Sequence, residues 1–222
     1  MGHDAADQEH LKRAVFDRLA PRLAEHGFKL KRTKDTFRRE HDGVCDMFHL
    51  AFLDNKLDGK PGWRVQPTAA VRNERVETIF HRTSGFEPKY QPDTATIGSF
   101  VGQLTSGSNS ACEFPVNSIE DVPAACDSIF HVFTDFALGY FQRFDVLDEI
   151  DRELNSAPLE HNVNRGVSYF RCTTGVIVAK LVGRADYEHL VDVYTEIMRT
   201  SNKGFYLKRF QALVASLEAS DT

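Results

Sequence analysis

The chain has 222 residues, 41% of them hydrophobic, and a formal net charge of −5 at neutral pH. A chain of this length can bury a stable core without disulfides or a structural metal. No run approaches the roughly 18 consecutive apolar residues that a membrane-spanning helix needs, and the mild acidity argues against a nucleic-acid footprint over the whole molecule. We therefore expect a folded protein without a membrane partner, in which any nucleic-acid contact is local.

The cysteines indicate a reducing compartment. They form no C-x-x-C pair and lie in stretches that look like core: Cys45, Cys112, Cys126 and Cys172. Buried single cysteines of this kind behave as small hydrophobes. The N-terminal residues lead into a charged helix without the basic start and apolar run of a secretory signal. These features predict a cytoplasmic protein.

The first predicted element is a helix over residues 7–26. An apolar residue recurs there every four positions among charges, at Leu11, Val15, Leu19 and Leu23. This spacing predicts a surface helix with one buried face. Gly27 is the residue type that commonly ends a helix in the left-handed conformation. The alternating runs 28–33 and 36–40 then predict a hairpin.

Two longer strands are predicted next. Residues 44–53 carry apolar side chains on both faces, which is typical of a central strand covered on each side. Residues 55–62 are rich in turn-forming residues and predict a connector. From Trp63 to Arg72 apolar and polar residues alternate, which predicts a strand with one solvated face.

The middle of the chain predicts a short helix, two strands and a long helix. The short helix covers 74–82, and the strands cover 95–104 and 111–116. The helix over 118–155 has an apolar stripe about one third of its circumference wide. We expect this helix, with Phe133 near its middle, to be the element that the sheet packs against.

A breaker-rich connector over 156–166 separates this helix from the C-terminal part. Residues 167–182 contain β-branched residues that favour a strand, but their length favours a helix, and we interpret them as a helix. Two further apolar helical stripes follow. The predicted fold class is α+β. Residues 1–155 form an α+β domain with an antiparallel sheet packed against a long central helix, and residues 156–222 form a helical C-terminal extension.

Two groups of residues have identities that suggest chemistry. His41, Cys45 and His49 are metal-ligand types, but on a strand Cys45 and His49 would lie about 13 Å apart, too far to share one ion. The acidic residues at the end of the long helix are Asp145, Asp148, Glu149, Asp151 and Glu153. Their spacing around an apolar stripe is more typical of a solvated helix face than of an acid–base pair. We predict neither a catalytic group nor a metal or cofactor.

The hairpin at 28–40 is strongly basic within an acidic chain. Its cations are Lys29, Lys31, Arg32, Lys34, Arg38 and Arg39. Such a cluster attracts phosphates or acidic protein surfaces. Trp63 and Arg64 on a nearby strand would add a stacking platform for a nucleic acid. Lysines on an edge strand also prevent strand-to-strand aggregation, which explains the cluster without any ligand.

Part of this hairpin also carries a resemblance to a known family. The segments concerned are His26-Gly27-Phe28-Lys29-Leu30-Lys31, Thr36-Phe37-Arg38-Arg39 and Ala137-Leu138-Gly139-Tyr140-Phe141-Gln142-Arg143-Phe144. With the strands between them, they resemble the bacterial domain-of-unknown-function family numbered 4304 over about residues 7–155. The resemblance implies an α+β domain with a mainly antiparallel sheet. It implies no activity and no functional residue.

These observations favour a non-enzymatic protein-interaction module of immunity or regulatory type, with a protein as its partner. The expectation depends on the lack of a hydrolase elbow, zinc-protease, P-loop or dinucleotide pattern in a small acidic chain. Nucleic-acid binding through hairpin 28–40 is the first alternative. An enzyme with dispersed catalytic residues is the second. The sequence favours no oligomeric state.

Overall fold

The computed structural model describes residues 2–57 and 60–219, with side chains for 7–55 and 62–219. Its helices are α1 (Gly2–Ala24), α2 (Glu74–His81), α3 (Val101–Ser106), α4 (Val122–Val132), α5 (Leu138–Phe144), α6 (Leu147–Asn155), α7 (Ser168–Leu181), α8 (Tyr187–Thr200) and α9 (Leu207–Glu218). Its strands are β1 (Lys29–Lys31), β2 (Thr36–His41), β3 (Val44–Leu57), β4 (Lys60–Asn73), β5 (Ile97–Phe100) and β6 (Phe114–Val116). The predicted α+β class is confirmed.

The strands form one sheet in the order β1-β2-β3-β4-β5, with β6 also paired to β4. β1 and β2 are antiparallel, with Leu30 opposite Phe37, and β2 and β3 are antiparallel, with Phe37 opposite Phe48. β6 runs antiparallel to the first part of β4, with Trp63 opposite Val116. The predicted hairpin and antiparallel sheet are therefore confirmed, and β1 is the first strand of the sheet.

The junction between α1 and β1 follows from one glycine. The Gly27 N–H donates to Ala24 O at 2.9 Å and the Phe28 N–H donates to Leu23 O at 3.1 Å, the pair of bonds that defines a Schellman motif. Gly27 has φ +84°, and a Cβ there would lie 3.3 Å from Cδ of Arg39. Backbone conformation and close approach therefore both favour glycine at this position.

Phe133 lies at the centre of the core of the first unit, where its helical segment packs against the sheet. Its ring is fully buried and contacts Phe28 and Phe48, each with a centroid distance of 5.2 Å in an edge-to-face arrangement. A π-helical turn over Phe133–Ala137 joins α4 to α5, with Leu138 N–H donating to Phe133 O. The chain from Val122 to Phe144 thus remains helical, and the expected packing of this helix against the sheet is present.

The long helix predicted over 118–155 is interrupted. Val146 is extended, with φ −100° and ψ 126°, and α6 begins only at the next residue. The apolar period continues across this break, because Phe144, Ile150 and Leu154 are all buried, and for this reason the pattern predicted a single helix. At the N-terminal end of the predicted helix, a capping box between Ser118 and Asp121 starts the helical turn that leads into α4.

Two other segments differ from the prediction. β3 continues to Leu57 and β4 begins at Lys60, so most of the predicted connector 55–62 is strand, and Asp58 and Gly59 lie outside the described residues. Long strand pairing has outweighed the turn-forming composition there. In 95–104, only β5 is extended and the chain then turns into α3.

The chain divides into two compact units, each made of separate stretches of sequence. The first unit contains residues 1–70 and 99–142, and the second contains 71–98 and 143–222. The boundary predicted near residue 155 lies within the second unit, where α6 packs against α7. No described helix is long and apolar enough to cross a membrane.

In the second unit, α7 is the central helix and contacts α2, α6, α8 and α9. The predicted helix over 167–182 is confirmed, and its β-branched residues Val176, Ile177 and Val178 are fully buried. All residues from 171 to 179 of this helix are buried, as is typical of a helix inside a core. A Cβ at Gly175 would lie 2.6 Å from Asn155 Oδ1 and 2.8 Å from the Tyr194 ring, so α6 and α8 approach this helix closely.

Candidate functional site

The predicted basic hairpin presents four exposed cations on and after the first strand of the sheet. We call this group the basic edge: Lys29, Lys31, Arg32 and Lys34. The two lysines of β1 flank half-buried Leu30, as alternation along a strand requires. The other two cations lie on the 3₁₀ turn Arg32–Lys34. The basic edge therefore combines a strand with a local concentration of positive charge.

The turn that carries these cations is held in place by contacts to neighbouring elements. Asp35 adopts a left-handed conformation with φ 52° and accepts a 2.6 Å hydrogen bond from Lys12 of α1. Arg32 pairs with Asp17 of the same helix. Leu50 N–H of β3 donates to Asp35 O at 3.0 Å. Because this backbone is already fixed, the turn itself would lose little conformational entropy when a partner binds.

The remaining two arginines of the hairpin have partners inside the unit. Arg39 donates from Nε and Nη2 to the fully buried Asp46, at 2.9 and 2.8 Å, and its guanidinium lies 4.8 Å from the ring centroid of Phe28. Half-buried Arg38 donates from Nε to Cys45 Sγ at 3.1 Å. These contacts give both arginines a role in stabilising the hairpin.

Trp63 and Arg64 do not form a joint stacking platform. The Trp63 indole N–H donates to Gln8 O at 2.8 Å, and its ring meets Phe52 edge-on at 5.7 Å. The exposed Arg64 pairs with Glu113 at 3.2 Å. Successive residues of a strand point to opposite faces, so these two side chains do not share a surface. Their assignment to a binding site stays a prediction.

The two histidines of metal-ligand type on and before β3 have other hydrogen-bond partners. His41 Nε2 lies 3.1 Å from Asp46 Oδ2, and His49 Nδ1 lies 3.0 Å from Thr36 Oγ1 and 3.1 Å from Lys34 O. Burial raises the pKa of the Cys45 thiol. Among the described residues no group of three His, Cys, Asp or Glu side chains is placed to hold a metal ion.

A second polar cluster, buried in the second unit, was not predicted. We call it the Glu77 cluster, and it consists of Arg72, Glu77, His81, Thr94, Thr96 and Arg165. Glu77 is fully buried on α2 and accepts hydrogen bonds from the hydroxyls of Thr94 at 2.5 Å and Thr96 at 2.9 Å. Two arginines and a histidine lie slightly further away: Arg72 and His81 at 3.6 Å and Arg165 at 4.0 Å from its carboxylate oxygens.

Part of this cluster, together with the neighbouring Ser84, has the residue types of a hydrolase triad. His81 Nδ1 lies 2.9 Å from Ser84 Oγ, and its Nε2 lies 2.9 Å from Thr94 Oγ1 and 3.6 Å from Glu77. Ser84 is only 2% exposed, and its Oγ also accepts the Phe86 N–H at 3.1 Å. A nucleophile must reach a substrate carbonyl, and this serine cannot. The geometry therefore suits a structural network better than acyl transfer.

The buried position of His81 makes the stability of the second unit depend on pH. Desolvation lowers the pKa of His81 below its usual value of about 6.5. As the pH falls through the usual pKa of histidine, the unfolded chain therefore binds more protons than the folded chain does. We expect the free energy of unfolding to fall between about pH 7 and pH 5, as measured by urea melts across a pH series.

The His81→Gln variant should show a shallower fall, because the amide can keep hydrogen bonds without taking up a proton. Exposed His189 on α8 provides the matched control, and His189→Gln should leave the slope unchanged. Equal slopes in all three proteins would contradict the role of His81. Burial also lowers the pKa of His49 in the first unit, so some pH dependence should remain in both variants.

The acidic residues after the long helix form ion pairs rather than a purely solvated face. Glu149 accepts from Arg143 and Arg152, and Glu153 accepts from Arg143 at 2.9 Å. Asp151 pairs with Arg184 at 3.0 Å.

Comparisons of this chain with family models, curated proteins and solved structures find no match. The resemblance to the family numbered 4304 stays a prediction.

Proposed function

We propose that this protein is a non-enzymatic interaction module that binds an acidic protein partner through the basic edge. The observation that supports the proposal is the group of exposed cations on β1 and on the turn that follows it, in a chain whose net charge is −5. A local patch of opposite sign steers an acidic surface to this edge and accelerates association. An immunity or regulatory role, acting in the cytoplasm, belongs to the same proposal.

An acidic protein fits this edge better than a nucleic acid does. A nucleic acid needs several cations along its backbone and aromatic faces for its bases. Arg38 and Arg39 are bound to Cys45 and Asp46, and the Trp63 indole donates to a backbone oxygen. An acidic segment could use both the lysines and the edge of β1, by adding a strand as in other edge-binding domains.

The test is charge reversal on β1. Lys29→Glu combined with Lys31→Glu should weaken binding of a labelled poly-glutamate peptide by about tenfold or more, because attraction becomes repulsion. Fluorescence anisotropy at about 0.1 M salt, where charges beyond roughly 10 Å are screened, measures this. Lys203→Glu with Lys208→Glu, at two exposed lysines of the second unit, is the matched control and should bind the peptide as the unaltered protein does.

Two outcomes would replace the proposal. Tighter binding to a short DNA duplex than to the peptide, with a log–log salt slope near −0.9 per phosphate neutralised, would favour nucleic-acid recognition. If neither probe binds and the β1 variant stays folded and monodisperse, the lysines serve to keep the edge strand from aggregating.

A further inference from the structure

The second unit contains an open cleft of about 400 Å³, next to the C-terminal end of α6 and the start of α7. Its lining is mostly polar and includes Arg143, Arg152, Arg171 and His161, together with Glu153 and Glu160. A cavity of this volume is within the size range of small-molecule sites. Its cations come from three different elements and meet only in the folded chain.

Arg171 supplies a buried positive charge to this cleft. It is 8% exposed, and its guanidinium donates to Leu154 O at 2.9 Å, to Ala157 O at 2.7 Å and to Glu160 O. Among the described residues no carboxylate forms an ion pair with it. Carbonyl dipoles after a helix C-terminus stabilise a cation but leave its formal charge uncompensated. The interior side of the cleft is therefore electropositive.

Arg143 and Arg152 are held at the rim by acidic neighbours. Arg143 donates to Glu149 at 3.3 Å and to Glu153 at 2.9 Å, and Arg152 donates to Glu149. Glu153 is further bound by the amide groups of Asn162 and Asn164. A guanidinium has five N–H groups, so both arginines keep donors for a ligand while their positions are fixed.

A second cavity of about 280 Å³ adjoins the first and shares four residues with it: Glu160, His161, Asn162 and Arg171. It is lined in addition by Pro158, Leu159 and Ile197, and Leu159 is 80% exposed. An exposed leucine beside a polar cleft offers contact to an apolar group. The two cavities together therefore suit a molecule with one charged and one less polar end.

We infer that this cleft binds small molecules that carry an oxyanion, a phosphate or a carboxylate. Guanidinium groups recognise such oxygens through paired, charge-assisted hydrogen bonds. The oxyanion would lie among Arg143, Arg152 and Arg171, and the rest of the ligand would extend toward Leu159. This site is in the second unit and is independent of the basic edge.

The experiment titrates inorganic phosphate, and acetate in parallel, into the isotope-labelled protein and follows backbone amide shifts. Arg152→Gln should raise the dissociation constant for the bound anion about tenfold, because a hydrogen bond to a charged group is lost. Arg199→Gln is the matched control, because Arg199 pairs with Glu196 as Arg152 pairs with Glu149, and the two arginine side chains are 58% and 64% exposed. It should leave binding unchanged.

Two further variants test the geometry. Glu160→Gln removes a repelling carboxylate from the lining and should tighten anion binding. Leu159→Ser should weaken binding of hexyl phosphate relative to inorganic phosphate, because it removes the apolar contact. If acetate binds and phosphate does not, and the variants change acetate affinity in the directions given above, the site is one for carboxylates. Absence of shifts with both anions, or equal effects of the Arg152 and Arg199 variants, would overturn the inference.

Discussion

Phe133→Ala is expected to lower the free energy of unfolding by about 3 to 5 kcal/mol. The substitution removes a fully buried ring that contacts Phe48 of β3 at a centroid distance of 5.2 Å. The ring also contacts Phe28 and His26, on the junction between α1 and β1, at 5.2 and 5.3 Å. Close-packed rings on several elements cannot all move to fill the space, so transfer and cavity costs add. Urea melts of the variant measure the loss.

Phe136→Ala is the control for this prediction, because the residue lies on the same π-helical turn but is only half-buried, with Tyr140 at a centroid distance of 5.9 Å. Phe136→Ala should lower the free energy of unfolding clearly less than Phe133→Ala does. A cost below about 1 kcal/mol for Phe133→Ala would be that of an ordinary surface change. That result would place the core of the first unit elsewhere.

Elements whose signals are local could be predicted from the sequence. The end of α1 depends on Gly27 and its immediate neighbours, the hairpin depends on alternation within a few residues, and β3 depends on a short apolar run. The last two helices, α8 and α9, likewise follow from their own periodicity. Each of these structures requires only interactions close in sequence, which a pattern along the chain records directly.

Other features depend on partners that are distant in sequence. The break at Val146 interrupts a helix without interrupting its apolar period, so the period could not reveal it. The strand pairing that extends β3 and β4 outweighs the turn-forming composition of 55–62. The two units each join separate stretches of chain, and a change of composition along the sequence cannot show which stretches pack together.

The candidate sites also combine features that are local in sequence with features that depend on distant partners. The lysines of β1 are exposed as their alternation predicts, but the internal roles of Arg38 and Arg39 depend on contacts to β3 that the spacing does not reveal. The Glu77 cluster joins α2 to Thr94, Thr96 and Arg165. A glutamate five residues after an arginine gives no sign in the sequence that it will be buried.

Glu77→Gln is expected to destabilise the second unit by about 3 kcal/mol, because removing one member of a buried ion cluster leaves the others without their counter-charge. The Arg72 guanidinium lies 3.6 Å from the Glu77 carboxylate and is itself largely buried, and the Arg165 guanidinium lies 4.0 Å away. The amide keeps the size of the side chain, so the change isolates the charge from packing. Denaturant melts at about pH 7, where the unfolded histidine is mostly neutral, measure this loss.

Glu74→Gln is the matched control, since Glu74 binds the same guanidinium at 2.9 Å but its side chain is 60% exposed. An exposed ion pair contributes about 0 to 1 kcal/mol, so this variant should differ little from the unaltered protein. Water screens the Glu74 carboxylate, whereas the buried Glu77 carboxylate faces Arg72 in a region of lower dielectric constant. Equal losses in the two variants would show that burial does not strengthen the Glu77 interactions, and the Glu77 cluster would then have no special role in holding α2 within the second unit.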